Sequence, residues 1–240
     1  MKELIISAKV KADIQNFIQV LVTIYRDNLV SVILYGSAAS GEFIDNHSNL
    51  NLLIVLNDAS ILKLKLASSH VNKFKMVKPL FFTENYIHSS TDVFPIEFLD
   101  MQENYFVLYG RDVLKDISID TGNLRFQCEQ ELKIKLINLK HFYLTSAKNK
   151  EALKNLLFKS FISVLHILRN CLRLKGLTPL YKKEEILNEL SYEYDFNIEA
   201  WKKLLSARNK QLKLTSRQIE ELFIEFVKDL ESIIDTIDRL

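Results

Sequence analysis

Residues able to hold an ion gather in the first half of this 240-residue chain. Leu29-Val-Ser-Val-Ile-Leu-Tyr35 is short, apolar and β-branched, which reads as a buried strand, and Gly36-Ser37 follows it directly. A glycine after a strand lets the backbone come close to a ligand, and a serine with the exposed amides of a helix start can hold phosphate oxygens. Eleven residues further on, Asn49-Leu50-Asn51-Leu52 opens a second apolar run that ends at Leu56. Residues two apart on a strand share a face, so Asn49 and Asn51 are expected side by side, aimed at whatever the Gly-Ser turn holds, with Leu50 and Leu52 turned to the core. Phosphoryl-transfer chemistry at such a place depends on divalent cations, which ask for anionic oxygens; an amide oxygen can ligate but brings no charge. Read without a ligand, the pair is two polar residues at a strand entrance.

A carboxylate that could join them is Glu97, in Pro95-Ile96-Glu97-Phe98-Leu99, which reads as part of a fourth strand over 94–99. Alternation would bury its neighbours and turn Glu97 outward, so it is either a remnant of an ion site or a residue of a solvated strand face; the first reading is preferred. Glu42, Asp45 and Asp58 lie near in sequence but lack the two-residue spacing of a shared metal site, and His47 reads as a loop residue.

These residues need a frame. An amphipathic helix over 3–27 precedes the first strand, a helix capped by Ser60 and running to Phe74 follows the second, and Lys78-Pro-Leu-Phe-Phe-Thr83 reads as a third strand with Pro79 at its start. Asp120-Thr-Gly-Asn123 is a cluster of turn and cap residues, and the boundary is placed there. Helices are expected beyond it over 124–144, 150–175, 183–190, 198–207 and 215 to the end, with the main break at Gly176 and Pro179. Thr215 and Gln218 form a capping box ahead of a long apolar stripe from Ile219 to Ile237, which is buried within the chain or covered by a second copy.

Composition excludes more than it names. Lys+Arg 32 against Asp+Glu 30 leaves a net charge of +2, so nothing advertises a nucleic-acid footprint; the tracts Lys202-Lys203 and 208–213, near Trp201, read as solvated helix surface. Cys128 and Cys171 sit in helical stretches without metal-type spacing and read as buried, reduced core residues, which suits a cytoplasmic location. Lys9, Lys11 and Asp13 interrupt the apolar start before a signal-peptide core could form, and no window is long and apolar enough to span a membrane.

The strand, Gly36-Ser37, the spacer and Asn49-Leu50-Asn51-Leu52 together resemble the signature of the polymerase-beta nucleotidyltransferase superfamily: a hydrophobic residue, Gly-Ser, a spacer and two acidic residues flanking an apolar one. The resemblance implies an α+β fold, a small mixed β-sheet with flanking helices over 1–119, followed by an all-helical bundle over 120–240. It implies a nucleoside triphosphate held at Gly36 and Ser37, and magnesium held at positions 49 and 51 with a third carboxylate from a later strand, which Glu97 matches best. Asn49 and Asn51 depart from that pattern and neutralise the acid pair. Glu97-Phe-Leu-Asp100 and Leu108-Tyr-Gly-Arg-Asp112 are also similar to bacterial nucleotidyltransferase-like proteins of unassigned role. The second half resembles more weakly the bundles of aminoglycoside nucleotidyltransferases and of HEPN proteins, but neither His141 nor His166 has the upstream Arg of HEPN ribonucleases.

Three functions follow. The leading one is an inactive or impaired nucleotidyltransferase homologue that keeps a nucleotide or phosphate pocket and uses its C-terminal helices for a homodimer or a protein partner. The second is an active metal-dependent transferase acting on a small-molecule or protein hydroxyl. The third is an interaction module with no nucleotide site.

Overall fold

Ser7 accepts the Val10 N–H on its hydroxyl at 3.4 Å and so opens α1, Ala8–Tyr25, in a computed structural model that describes residues 4–41, 43, 49–146, 149–178 and 180–239. The helix begins later than the apolar spacing alone predicts because Ser7 caps it. Its stripe of Val10, Ile14, Phe17, Leu21 and Tyr25 is buried. The strand β1, Leu29–Tyr35, follows, then a single turn α2, Ser37–Ser40, then β2, Leu50–Leu56, and α3, Ile61–Val71. The third strand is β3, Val77–Phe82, followed by α4, Glu84–Ser89.

The run expected as a fourth strand, 94–99, is helical instead: α5 spans Pro95–Glu103. Proline at a first helical position sacrifices no hydrogen bond and has the right φ, and Glu97 in the first turn meets the positive end of the helix dipole. The fourth strand is β4, Tyr105–Gly110. It ends at Gly110, where φ is +73° and a β-carbon would collide with the Val30 carbonyl.

The sheet is mixed, in the order β3-β2-β1-β4, with β1 antiparallel to β2 and β4, and β2 parallel to β3. Alternate residues feed two cores. Val32, Leu34, Leu50, Leu52 and Ile54 pack with the stripe of α1 and with Ala67 of α3; Phe17 meets Phe74 edge-on at 5.1 Å. Ile33, Leu53 and Val55 pack on the other face with Ile87 of α4, Phe98 and Met101 of α5, and Val113, Leu114 and Ile117.

By its internal packing the chain divides into two units, 1–120 and 121–240. The second contains α6, Thr121–Ser146; α7, Lys150–Leu174; α8, Lys183–Glu193; α9, Ile198–Arg208; and α10, Ser216–Ile237. Trp201 is fully buried there, with ring centroids of Phe161, Phe196 and Phe226 at 5.7, 4.9 and 5.0 Å. It is a core residue and does not belong to the surface tracts that follow it in sequence. Its indole N–H donates to Asp229 Oδ2 at 2.9 Å, and the Asn197 N–H donates to the same oxygen at 3.2 Å. Thr215 and Gln218 form the expected capping box, and Ile219, Phe223, Phe226, Leu230, Ile233, Ile234 and Ile237 of α10 are buried. Cys128 and Cys171 are buried with free thiols. Pro179 lies outside the described residues. Among the described residues, no helix is long and apolar enough to cross a membrane.

Candidate functional site

Backbone pairing sets four side chains in one row across the sheet. Asn51 of β2 is in register with Tyr35 of β1 and with Lys78 of β3, and Tyr35 is in register with Tyr105 of β4. In-register residues on neighbouring strands share a face. Leu53 and Val55 of β2, Ile33 of β1 and Phe82 of β3 continue the same alternation inward, and all four belong to the core on the α5 side. The row Lys78, Asn51, Tyr35, Tyr105 is therefore the rim of that core. Lys78 is exposed and the other three are half-buried.

Gly36 stands directly over this rim. Its φ of +76° lies in the region open to glycine, and a β-carbon at position 36 would stand 2.9 Å from Asn51 Nδ2. The backbone conformation calls for the glycine, and the asparagine amide packed on it would have to shift to admit a larger residue. Its carbonyl accepts the Ala39 and Ser40 N–H groups at 2.9 and 3.0 Å, which closes the turn that begins at Ser37. Gly36 and Asn51 are thus brought together, with Ser37 next in the chain.

The other expected residues are placed less favourably. Asn49 is exposed and just precedes β2. Glu97 lies on α5, so the strand alternation that would aim it at positions 49 and 51 does not apply to it. Asp58 follows the opposite end of β2, where its carboxylate accepts the Ser60 N–H at 2.8 Å and is held below the usual carboxylate range chiefly by that bond. Glu42, Asp45 and His47 lie outside the described residues.

Chemically, the row is made of donors. Burial pushes the Tyr35 phenol up to about 12. The Tyr105 phenol is pushed up to about 12 by burial first, then by its hydrogen bond to Asp112 Oδ2 at 2.7 Å. Both phenols hold their protons at neutral pH. Asp112 is engaged on its other oxygen too, which accepts the Leu114 and Lys115 N–H groups, each at 3.1 Å. A lysine ammonium offers three donors and no acceptor, and an amide offers two donors beside its one carbonyl. Magnesium needs several oxygens in near-octahedral array, most of them anionic or water. A lysine, an amide and two protonated phenols do not fit that demand. Among the described residues, no group of three or more His, Cys, Asp or Glu could hold a metal ion.

Sequence reasoning missed Lys78, Tyr35 and Tyr105 as members of this row. Lys78 shares its parity with Phe82, which was visible in the sequence, but its partner on β2 was not, because β2 and β3 pair across a helical crossover.

No protein-family model matches this sequence, and no curated protein matches it. The chain does match, in three dimensions, the crystal structure of the spectinomycin adenyltransferase AAD(9) from Enterococcus faecialis with ATP and spectinomycin. The TM-score is 0.59 at 11% identity, over 91% of this chain and 99% of that one. At that identity the likeness is one of fold. The chain has a nucleotidyltransferase fold, a small mixed four-stranded sheet with flanking helices followed by a helical region.

Proposed function

We propose that this chain is a nucleotidyltransferase-fold protein in which Asn49 and Asn51 replace the catalytic acid pair, so that it binds a nucleotide or its phosphates at Gly36 and Ser37 without effective nucleotidyl transfer. The single observation that carries the reading is the packing of the Asn51 amide against Gly36 at the rim of the sheet. The turn and the strand still converge, yet the group they bring together is neutral. Transfer of a nucleotidyl group needs metal ions that offset the triphosphate charge and activate the attacking hydroxyl, and two amides in place of two carboxylates leave those ions without anionic ligands at these positions. ATP is the natural probe, because the structural neighbour was solved with it. Association through the C-terminal helices, with a second copy or a protein partner, remains part of the proposal.

The test is a pyrophosphate-release assay with ATP, magnesium and spectinomycin or a protein hydroxyl as acceptor, alongside calorimetric titration of ATP. Binding without release above background is expected; robust magnesium-dependent release overturns the reading. Asn49→Asp combined with Asn51→Asp serves as the control, and magnesium affinity is expected to rise in that variant.

A further inference from the structure

We infer that the rim formed by Lys78, Asn51 and Tyr35 is an anion site that takes the phosphate groups of a nucleoside triphosphate without a divalent cation, Lys78 supplying the positive charge. This inference rests on the nucleotide reading above and adds to it how the charge of the phosphates is met.

For binding the phosphates, carboxylates help by recruiting cations; by themselves they repel the ligand. Amides at the same positions neither recruit nor repel. A triphosphate entering such a place still has to find positive charge when it leaves water. The sheet register provides one. Lys78 and Asn51 stand opposite each other on adjacent strands, roughly 4.8 Å apart along the pairing direction, with side chains on one face. Next along the row is Tyr35, whose phenol remains a donor. With a carboxylate at position 51, Lys78 would have an ion-pair partner one strand away; with asparagine there, its ammonium is left available to a ligand. The lysine and the asparagine are thus mutually consistent in a site that binds anions, and neither suits a site that binds magnesium.

An edge strand such as β3 often carries a lysine and a proline simply to discourage pairing with other chains, and Lys78-Pro79 fits that use as well. The two explanations separate in solution. Calorimetric titration of the purified full chain with ATP is run once in EDTA and once in magnesium chloride, and repeated with inorganic tripolyphosphate as competitor. ATP is expected to bind in EDTA at least as tightly as in magnesium, and tripolyphosphate is expected to compete. Lys78→Met should weaken binding about 10- to 100-fold, the equivalent of a charge-assisted hydrogen bond, while Lys78→Arg keeps most of it. Asn51→Asp should also weaken the magnesium-free affinity, because it gives the lysine a partner. Circular dichroism confirms that each variant is folded, as the exposure of Lys78 leads one to expect.

If ATP binds only with magnesium, or binds equally to Lys78→Met, or is not displaced by tripolyphosphate, the cation-free site is wrong while the nucleotide reading stands. If ATP binds in neither buffer, the nucleotide reading fails and takes this inference with it.

Discussion

The interior of the helical unit and the rim of the sheet handle polar groups in opposite ways. In the helical unit Asp229 is buried, yet its carboxylate is met by the Trp201 indole and the Asn197 amide, and burial still pushes its pKa up. The network is closed: donor, acceptor and the aromatic rings around them are all supplied by the chain. At the rim of the sheet, Lys78, Asn51 and Tyr35 sit in a row in which Lys78 is exposed and the other two are half-buried. A closed network fixes shape and contributes to stability, whereas an exposed ammonium at a sheet edge is accessible to solvent and to solutes. Substitutions in the first region should therefore move stability and leave ligand binding alone, whereas replacing the exposed Lys78 in the second should move binding and leave stability nearly unchanged.

The sharpest way to break that contrast is at Trp201. Trp201→Ala removes the ring between Phe161, Phe196 and Phe226 and leaves Asp229 short of a donor, at a cost of about 3–5 kcal/mol of stability, measurable by urea unfolding. A loss below about 1 kcal/mol would show that the bundle core collapses to fill the space, and that its network is not a closed unit.

Gly36→Ala is expected to have a smaller effect, about 1–3 kcal/mol, since the backbone at φ +76° and ψ −148° is open essentially to glycine alone. Part of that cost comes from contact with Asn51 Nδ2, so the double variant with Asn51→Ala should recover a fraction of it, about 0.5 kcal/mol or more. Strict additivity in that cycle would mean that the turn and the strand do not touch.

The smallest effect is expected at the surface of the bundle. Lys150 Nζ at 2.7 Å and the Tyr143 hydroxyl at 3.0 Å hold the Glu220 carboxyl below its ordinary value of 4.5, the lysine contributing most. A lowered folded-state pKa contributes stability that is complete above 4.5 and is lost as the pH falls through the folded value. The difference in melting temperature between the wild type and Glu220→Gln should therefore shrink as the pH is taken from about 6 to about 3. A difference that does not change with pH would remove the pairing from the account.

Much of the frame was legible in the amino-acid order because local chemistry decided it. The runs at 29–35 and 50–56 are apolar and rich in β-branched or aliphatic residues, and both are strands. The capping box at Thr215 and the three-to-four spacing beyond it give α10 without help from any neighbour. The failure at 94–99 has the same root. Phe94-Pro-Ile-Glu-Phe-Leu99 satisfies strand alternation, but Pro95 followed by a first-turn Glu97 and by Asp100-Met-Gln-Glu103 is a helix start, and an apolar pattern so short does not separate the two. The strand that completes the sheet lies a few residues on, at Tyr105-Phe-Val-Leu-Tyr-Gly110.

By itself the sequence determined that a glycine turn follows a buried strand, and that neutral amides open the next one, because both depend on residue type and spacing along a few neighbouring positions. Only the tertiary structure decided which residues join them. Strand pairing is a non-local choice, made by the burial of both sheet faces and by the crossover through α3, and it is this choice that puts Lys78 beside Asn51 and puts Tyr35 and Tyr105 in line with them.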